Sequence, residues 1–169
     1  MKSYAITSWK ASNQAVDERK NLVSISGRAE GFFGWLLSKL KIGPIVSVAI
    51  SADEVRFSQG SLQGSITRVI PLENICSTYY GYNKPWLEAV LIAVLLGWIF
   101  GIGIILAIIY YYLNKSLVLG FVEMSGGVHI IGFKRSIIEG QNIDETSAAY
   151  VTELTQALID NRKSSRKAA

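Results

Sequence analysis

Residues able to carry catalysis or hold a metal are few and far apart in this chain. The single histidine, His129, sits in Val128-His-Ile-Ile131, and the single cysteine is Cys76. A typical zinc site draws three or four ligands, mainly from His and Cys, so one of each builds none. Cys76 has no disulfide partner in the chain and is expected to be a small buried residue of a strand. His129, set among Val and Ile, is expected to be a structural imidazole. No nucleophile elbow, which mounts a serine on a strained turn between strand and helix, accompanies it. Gly101-Ile-Gly103 lies inside an apolar run, whereas a phosphate loop follows a strand and opens a helix. The acidic residues show no pairing of the kind that acid–base chemistry uses. These residues point away from an enzyme and require no cofactor and no metal.

The net charge of +4 is modest. Basic residues cluster only at the end, in Asn161-Arg-Lys-Ser-Ser-Arg-Lys167, and no aromatic residues interleave with them, so nucleic acid is not an expected partner. Residues 163–169 form a basic tail that suits an anionic surface, or simply a solvated terminus.

Residues 86–113 are the dominant feature, an apolar run whose one charge is Glu88. Charges at a bilayer centre cost several kcal/mol, roughly, so long uncharged runs are what a membrane accepts. As one straight helix the run reaches ~42 Å, more than a hydrocarbon core of ~30 Å; as a helical hairpin each arm reaches only ~20 Å. Gly97, Gly101 and Gly103 mark a turn region. Ala89, Ala93, Gly97 and Gly101 recur at four-residue spacing, a stripe that permits close helix packing. Trp86, Trp98, Tyr110, Tyr111 and Tyr112 are of the types that favour a membrane–water interface. Lys84 and Lys115 flank the run almost symmetrically, so charge bias does not choose between one pass and a hairpin.

The flanking halves carry the elements that would position any site. Leu22-Val-Ser-Ile-Ser-Gly27 alternates as a half-buried strand does. Ile45-Val-Ser-Val-Ala-Ile50, Val55-Arg-Phe57, Ser65-Ile-Thr-Arg-Val-Ile70 and a run over residues 72–80 continue the pattern. Residues 30–42 form an expected short amphipathic helix, with Phe32, Phe33, Trp35 and Leu36 on an apolar arc of about 220°, wider than a surface helix needs. Such a helix suits a membrane interface or a packed contact. After the apolar run, residues 116–124 and 128–133 flank Ser125-Gly-Gly127 as a hairpin. A helix follows, with Asp144 or Thr146 as its cap and Val151, Leu154 and Leu158 as its stripe.

This order resembles a bacterial pleckstrin-homology-like (PH-like) domain. The resemblance rests on Val48-Ala-Ile-Ser-Ala-Asp-Glu-Val-Arg-Phe57, Ile70-Pro-Leu-Glu-Asn-Ile75, the hairpin over 117–133 and the helix after Asn142. It implies an α+β fold: a PH-like antiparallel β-barrel or sandwich with a C-terminal capping helix. An apolar helical membrane hairpin interrupts it, and a short amphipathic helix follows the first strand. The expected layout is an arm over 1–20, the first part over 21–85, the membrane segment over 86–113, the second part over 114–162 and the tail. Because neither half closes a barrel alone, both are expected on one side of the membrane, and the resemblance implies the cytoplasmic side of a bacterial inner membrane. The expected function is a non-enzymatic, self-assembling membrane scaffold with membrane lipid and further copies as partners. The alternatives are a membrane-anchored adaptor for anionic lipid or a protein partner, and a single-pass accessory subunit. Arg28, Lys39, Lys41 and Lys84 are the candidate contacts for anionic lipid.

Overall fold

The structure, a computed structural model, describes residues 3–40, 43–61, 64–97, 102–136, 138–142 and 144–168. Eight strands form one sheet in the order β5-β4-β3-β2-β1-β8-β7-β6. The strands are β1 (Ser3–Ala11), β2 (Val23–Ala29), β3 (Ile45–Ile50), β4 (Glu54–Ser61), β5 (Gly64–Pro71), β6 (Ile75–Asn83), β7 (Ser116–Glu123) and β8 (Val128–Lys134). Four helices accompany them: α1 (Gly31–Lys39), α2 (Trp86–Leu96), α3 (Ile102–Leu113) and α4 (Glu145–Ala168). Every strand pair is antiparallel except β1 with β8, which is parallel.

Strand β1 joins two antiparallel blocks, β2 to β5 on one side and β6 to β8 on the other. Its register slips between Ile6 and Ser8, a bulge that lets Tyr4 and Ile6, then Trp9 and Ala11, all reach the core although their spacing breaks strict alternation. The sheet folds over on itself: Gln59 of β4 donates to the Tyr4 hydroxyl of β1 at 3.0 Å. Phe57 of β4 meets the Phe121 ring of β7 edge-on at 5.3 Å. The core between these layers holds Ile6, Ile25, Ile50, Leu72, Ile75, Leu119 and Phe133. Ala148, Val151 and Ile159 of α4 close it, at the spacing of one helix face. Asp144 caps α4, its Oδ1 accepting the Ser147 N–H at 2.8 Å.

Several expectations are corrected here. The anticipated antiparallel PH-like barrel interrupted by a membrane hairpin is instead a mixed eight-stranded sheet with four helices. The arm over 1–20 supplies a central strand. The apolar run is not one long helix: α2 has 11 residues and α3 has 12, which is about 16–18 Å each at 1.5 Å per residue. Among the described residues no helix is long and apolar enough to cross a membrane. That finding overturns the integral membrane protein and its inner-membrane placement. With it go the membrane scaffold, the membrane-anchored adaptor and the single-pass subunit. Cys76 is exposed rather than buried, because β6 is an edge strand whose register shifts between Ile75 and Ser77. The basic tail continues α4 as helix to Ala168.

Candidate functional site

The sheet itself places the apolar helices. Asn83 at the end of β6 pairs with Ser116 at the start of β7, and the Ser116 hydroxyl donates to the Asn83 carbonyl at 3.2 Å. Both ends of the intervening segment are therefore fixed side by side, and α2 must leave from the place to which α3 returns. Pro85 precedes α2, a position where its missing N–H costs nothing, and its carbonyl accepts the Ala89 N–H at 3.0 Å.

Small residues let the two helices touch. Ala89 and Ala107 are buried, and a Cβ added to Gly103 would collide with the Leu96 and Gly97 backbone. The one charge of the pair is used internally: the Tyr110 hydroxyl donates to the Glu88 carboxylate. That hydrogen bond, with burial second, pushes the Tyr110 pKa up to about 12. At the base, the Lys84 ammonium lies 5.1 Å from the Tyr111 ring centre and 5.8 Å from that of Tyr112. Lys115 sits 5.0 Å from the Tyr82 ring, within reach of a cation–π attraction.

Beyond this base the pair is apolar on every side. One face carries a groove of about 400 Å³. Ala89, Ala93 and Ala107 are small residues along it, with Trp86, Val90, Ile104 and Ile108 among its other walls. Leu87, Leu91 and Leu95 form a second row on α2, and Ile105 and Ile109 one on α3, each exposed by about half. A helix hydrophobic around its whole circumference is normally buried.

The expected site residues are only partly brought together. Ala89 and Ala93 line the groove, while Gly97 ends α2. Trp86, Tyr110, Tyr111 and Tyr112 share the base of the pair. Phe33 and Leu36 lie on α1, both exposed, and Trp35 there is half-buried. Lys39 ends α1 and Lys84 stands at the base of α2, so neither joins Arg28, which is buried and held by Glu139. Lys41, Trp98, Gly101 and the Phe32 side chain lie outside the described residues. Gly103 and Ala107 complete the packing. Their four-residue spacing on α3 repeats that of Ala89 and Ala93 on α2, a signal present in the sequence.

A polar cluster that includes the sole histidine lies elsewhere, between β5, β7 and β8. Glu123 Oε1 is 2.6 Å from His129 Nε2 and 3.2 Å from an Arg68 nitrogen, and Ser125 donates to Oε2 at 2.8 Å. The Ser125 and His129 hydrogen bonds hold the Glu123 carboxyl below its ordinary range. His129 also stacks on Phe57 at 5.4 Å. The serine faces the carboxylate and not the imidazole, so this is no nucleophile–base pair. Among the described residues no group of three His, Cys, Asp or Glu could hold a metal ion. No family model matches the chain, and neither a curated protein nor a solved structure matches it.

Proposed function

We propose that the protein is a non-catalytic assembly module in which further copies of the chain bury the α2–α3 pair. The observation that carries this is the apolar surface on both faces of the pair. At roughly 100 Å² for each half-exposed Leu or Ile it amounts to on the order of 1,000 Å², beyond the few hundred Å² usual for a monomer's largest patch. A standard interface buries about 800 Å² per partner, so the pair is large enough to hold an assembly together.

Identity between copies favours a second copy as the occupant. The groove beside Ala89, Ala93 and Ala107 is flanked by ridges such as Val90 and Ile104. A two-fold axis sets the ridge of one copy into the groove of the next. The only carboxylate of the pair, Glu88, is engaged by Tyr110, so no charge repels a like surface. Because the opposite rows, Leu91 and Ile105 among them, are equally exposed, one two-fold contact leaves apolar surface uncovered. The assembly is therefore larger than a dimer.

Light scattering on the full chain, with and without phosphatidylcholine vesicles, tests the reading. The expected result is one defined mass above a dimer without lipid, reduced by Ala93→Phe, which fills the groove. An unchanged melting transition would show that the sheet of this variant is intact. A monomer without lipid, or a monomer recovered only on vesicles, overturns the proposal and makes a bilayer surface the occupant.

A further inference from the structure

We infer that the cleft between the β2–α1 junction, the end of α3 and the segment after β8 binds a phosphate monoester. The cleft has a volume of about 450 Å³, within the range of small-molecule sites. Arg28, Lys115, Lys134 and Arg135 line it, from separate parts of the chain, against one lining carboxylate, Glu30.

Arg28 makes it a built site. Its side chain is only 3% exposed and is held rigidly from several sides. Nε and Nη2 donate to the two Glu139 oxygens at 2.8 and 3.1 Å, and Nη1 donates to the Ala29 and Gly31 carbonyls at 2.9 and 3.3 Å. A guanidinium has five N–H groups, so one on Nη2 remains beyond these bonds. Lys134 is 3.0 Å from Glu30. Among the described residues, no carboxylate lies within ion-pair distance of Lys115 or Arg135. Allowing for Glu139 and Glu30, the cleft keeps an excess of two positive charges.

That excess matches a phosphate monoester, which carries about −1.5 to −2 at neutral pH. Arg135 can meet such a group through two parallel N–H bonds, and Lys115 adds a point charge. Leu113 and Ile138, each about half exposed, form apolar shoulders beside the cations. They suit the carbon body of the ester. The same group occurs on a soluble phosphorylated metabolite and on the headgroup of phosphatidic acid.

The test titrates the full chain calorimetrically with glycerol 3-phosphate. It also measures co-sedimentation with phosphatidylcholine vesicles, with and without phosphatidic acid. The comparison variant is the double change Lys115→Gln with Arg135→Gln, and Lys10→Gln, exposed on β1 outside the cleft, serves as the distant-charge control. Saturable binding of glycerol 3-phosphate, weakened about tenfold or more in the double variant but not in the control, supports the site. If glycerol 3-phosphate does not bind but phosphatidic acid raises sedimentation in the same Lys115- and Arg135-dependent way, the site holds and its ligand is a headgroup. Absence of both, or binding that the double variant keeps within about twofold, overturns it. Should the double variant fail to melt cooperatively, Arg135→Gln alone decides between the same outcomes, since the exposed Arg135 packs into no core.

Discussion

Arg28 shows how much one side chain can organise. It sits on β2 near the α1 junction, yet its guanidinium fixes Glu139, more than a hundred positions later. The Arg28 hydrogen bond is the main cause that holds the Glu139 carboxyl below its ordinary range, with Ser136 contributing. A carboxyl whose pKa is lowered by folding stabilises the native state above its unfolded pKa. That contribution fades as pH falls through the folded value. Denaturant titrations between neutral pH and about pH 3 should therefore show a steeper acid loss in the wild type than in Glu139→Gln. Equal slopes would show that the pair does not couple folding to protons. Replacing Arg28 by Met is expected to cost about 3 kcal/mol, because the partly buried Glu139 carboxylate then loses its cation.

Among the elements, β1 carries the architecture. Among the described strands it is the one that pairs with both the β2–β5 block and the β6–β8 block. Removing the chain through Ala11 should abolish cooperative unfolding, seen as loss of a sigmoidal thermal transition. A truncated chain that still melts sharply would mean that core packing alone joins the blocks. The same strand explains what the sequence concealed. Val23 and Ile25, or Val46, Val48 and Ile50, alternate plainly, and the stripe on α4 follows a 3.6-residue period. In β1 the apolar residues change phase after Ile6, and a phase change within nine residues looks like no strand at all. The apolar run hid a different thing. Its composition showed that α2 and α3 would be hydrophobic, but not that the described helices would have only 11 and 12 residues, each too short to cross a membrane. The Ala89 and Ala93 spacing was legible as a packing face. The approach of α3, with Gly103 against the Leu96 and Gly97 backbone and Ala107 buried, was not, since it depends on Asn83 and Ser116 being adjacent in the sheet.

At the scale of the whole molecule, the folded-over sheet leaves β5 as an edge, bonded through its backbone to β4 alone. Ile66 on this edge is 77% exposed, so burial does little to keep the strand in place. What spans the gap is Glu123, which reaches Arg68 of β5 from β7 and accepts from His129 and Ser125 as well. One carboxylate thus ties the edge strand β5 to β7 and β8 from the other block of the sheet. Since these bonds hold its pKa down, its contribution is present at neutral pH and disappears as acid protonates it. Glu123→Gln should reproduce the acid state at neutral pH, removing the charge while keeping the shape. Hydrogen exchange at the β5 amides is expected to quicken several-fold in the variant, with the β2 and β3 amides unchanged, because a local opening exposes only its own strand. Uniformly faster exchange in all strands would instead place Glu123 in the global unfolding equilibrium. Unchanged exchange would leave the β4 hydrogen bonds as sufficient to hold the edge.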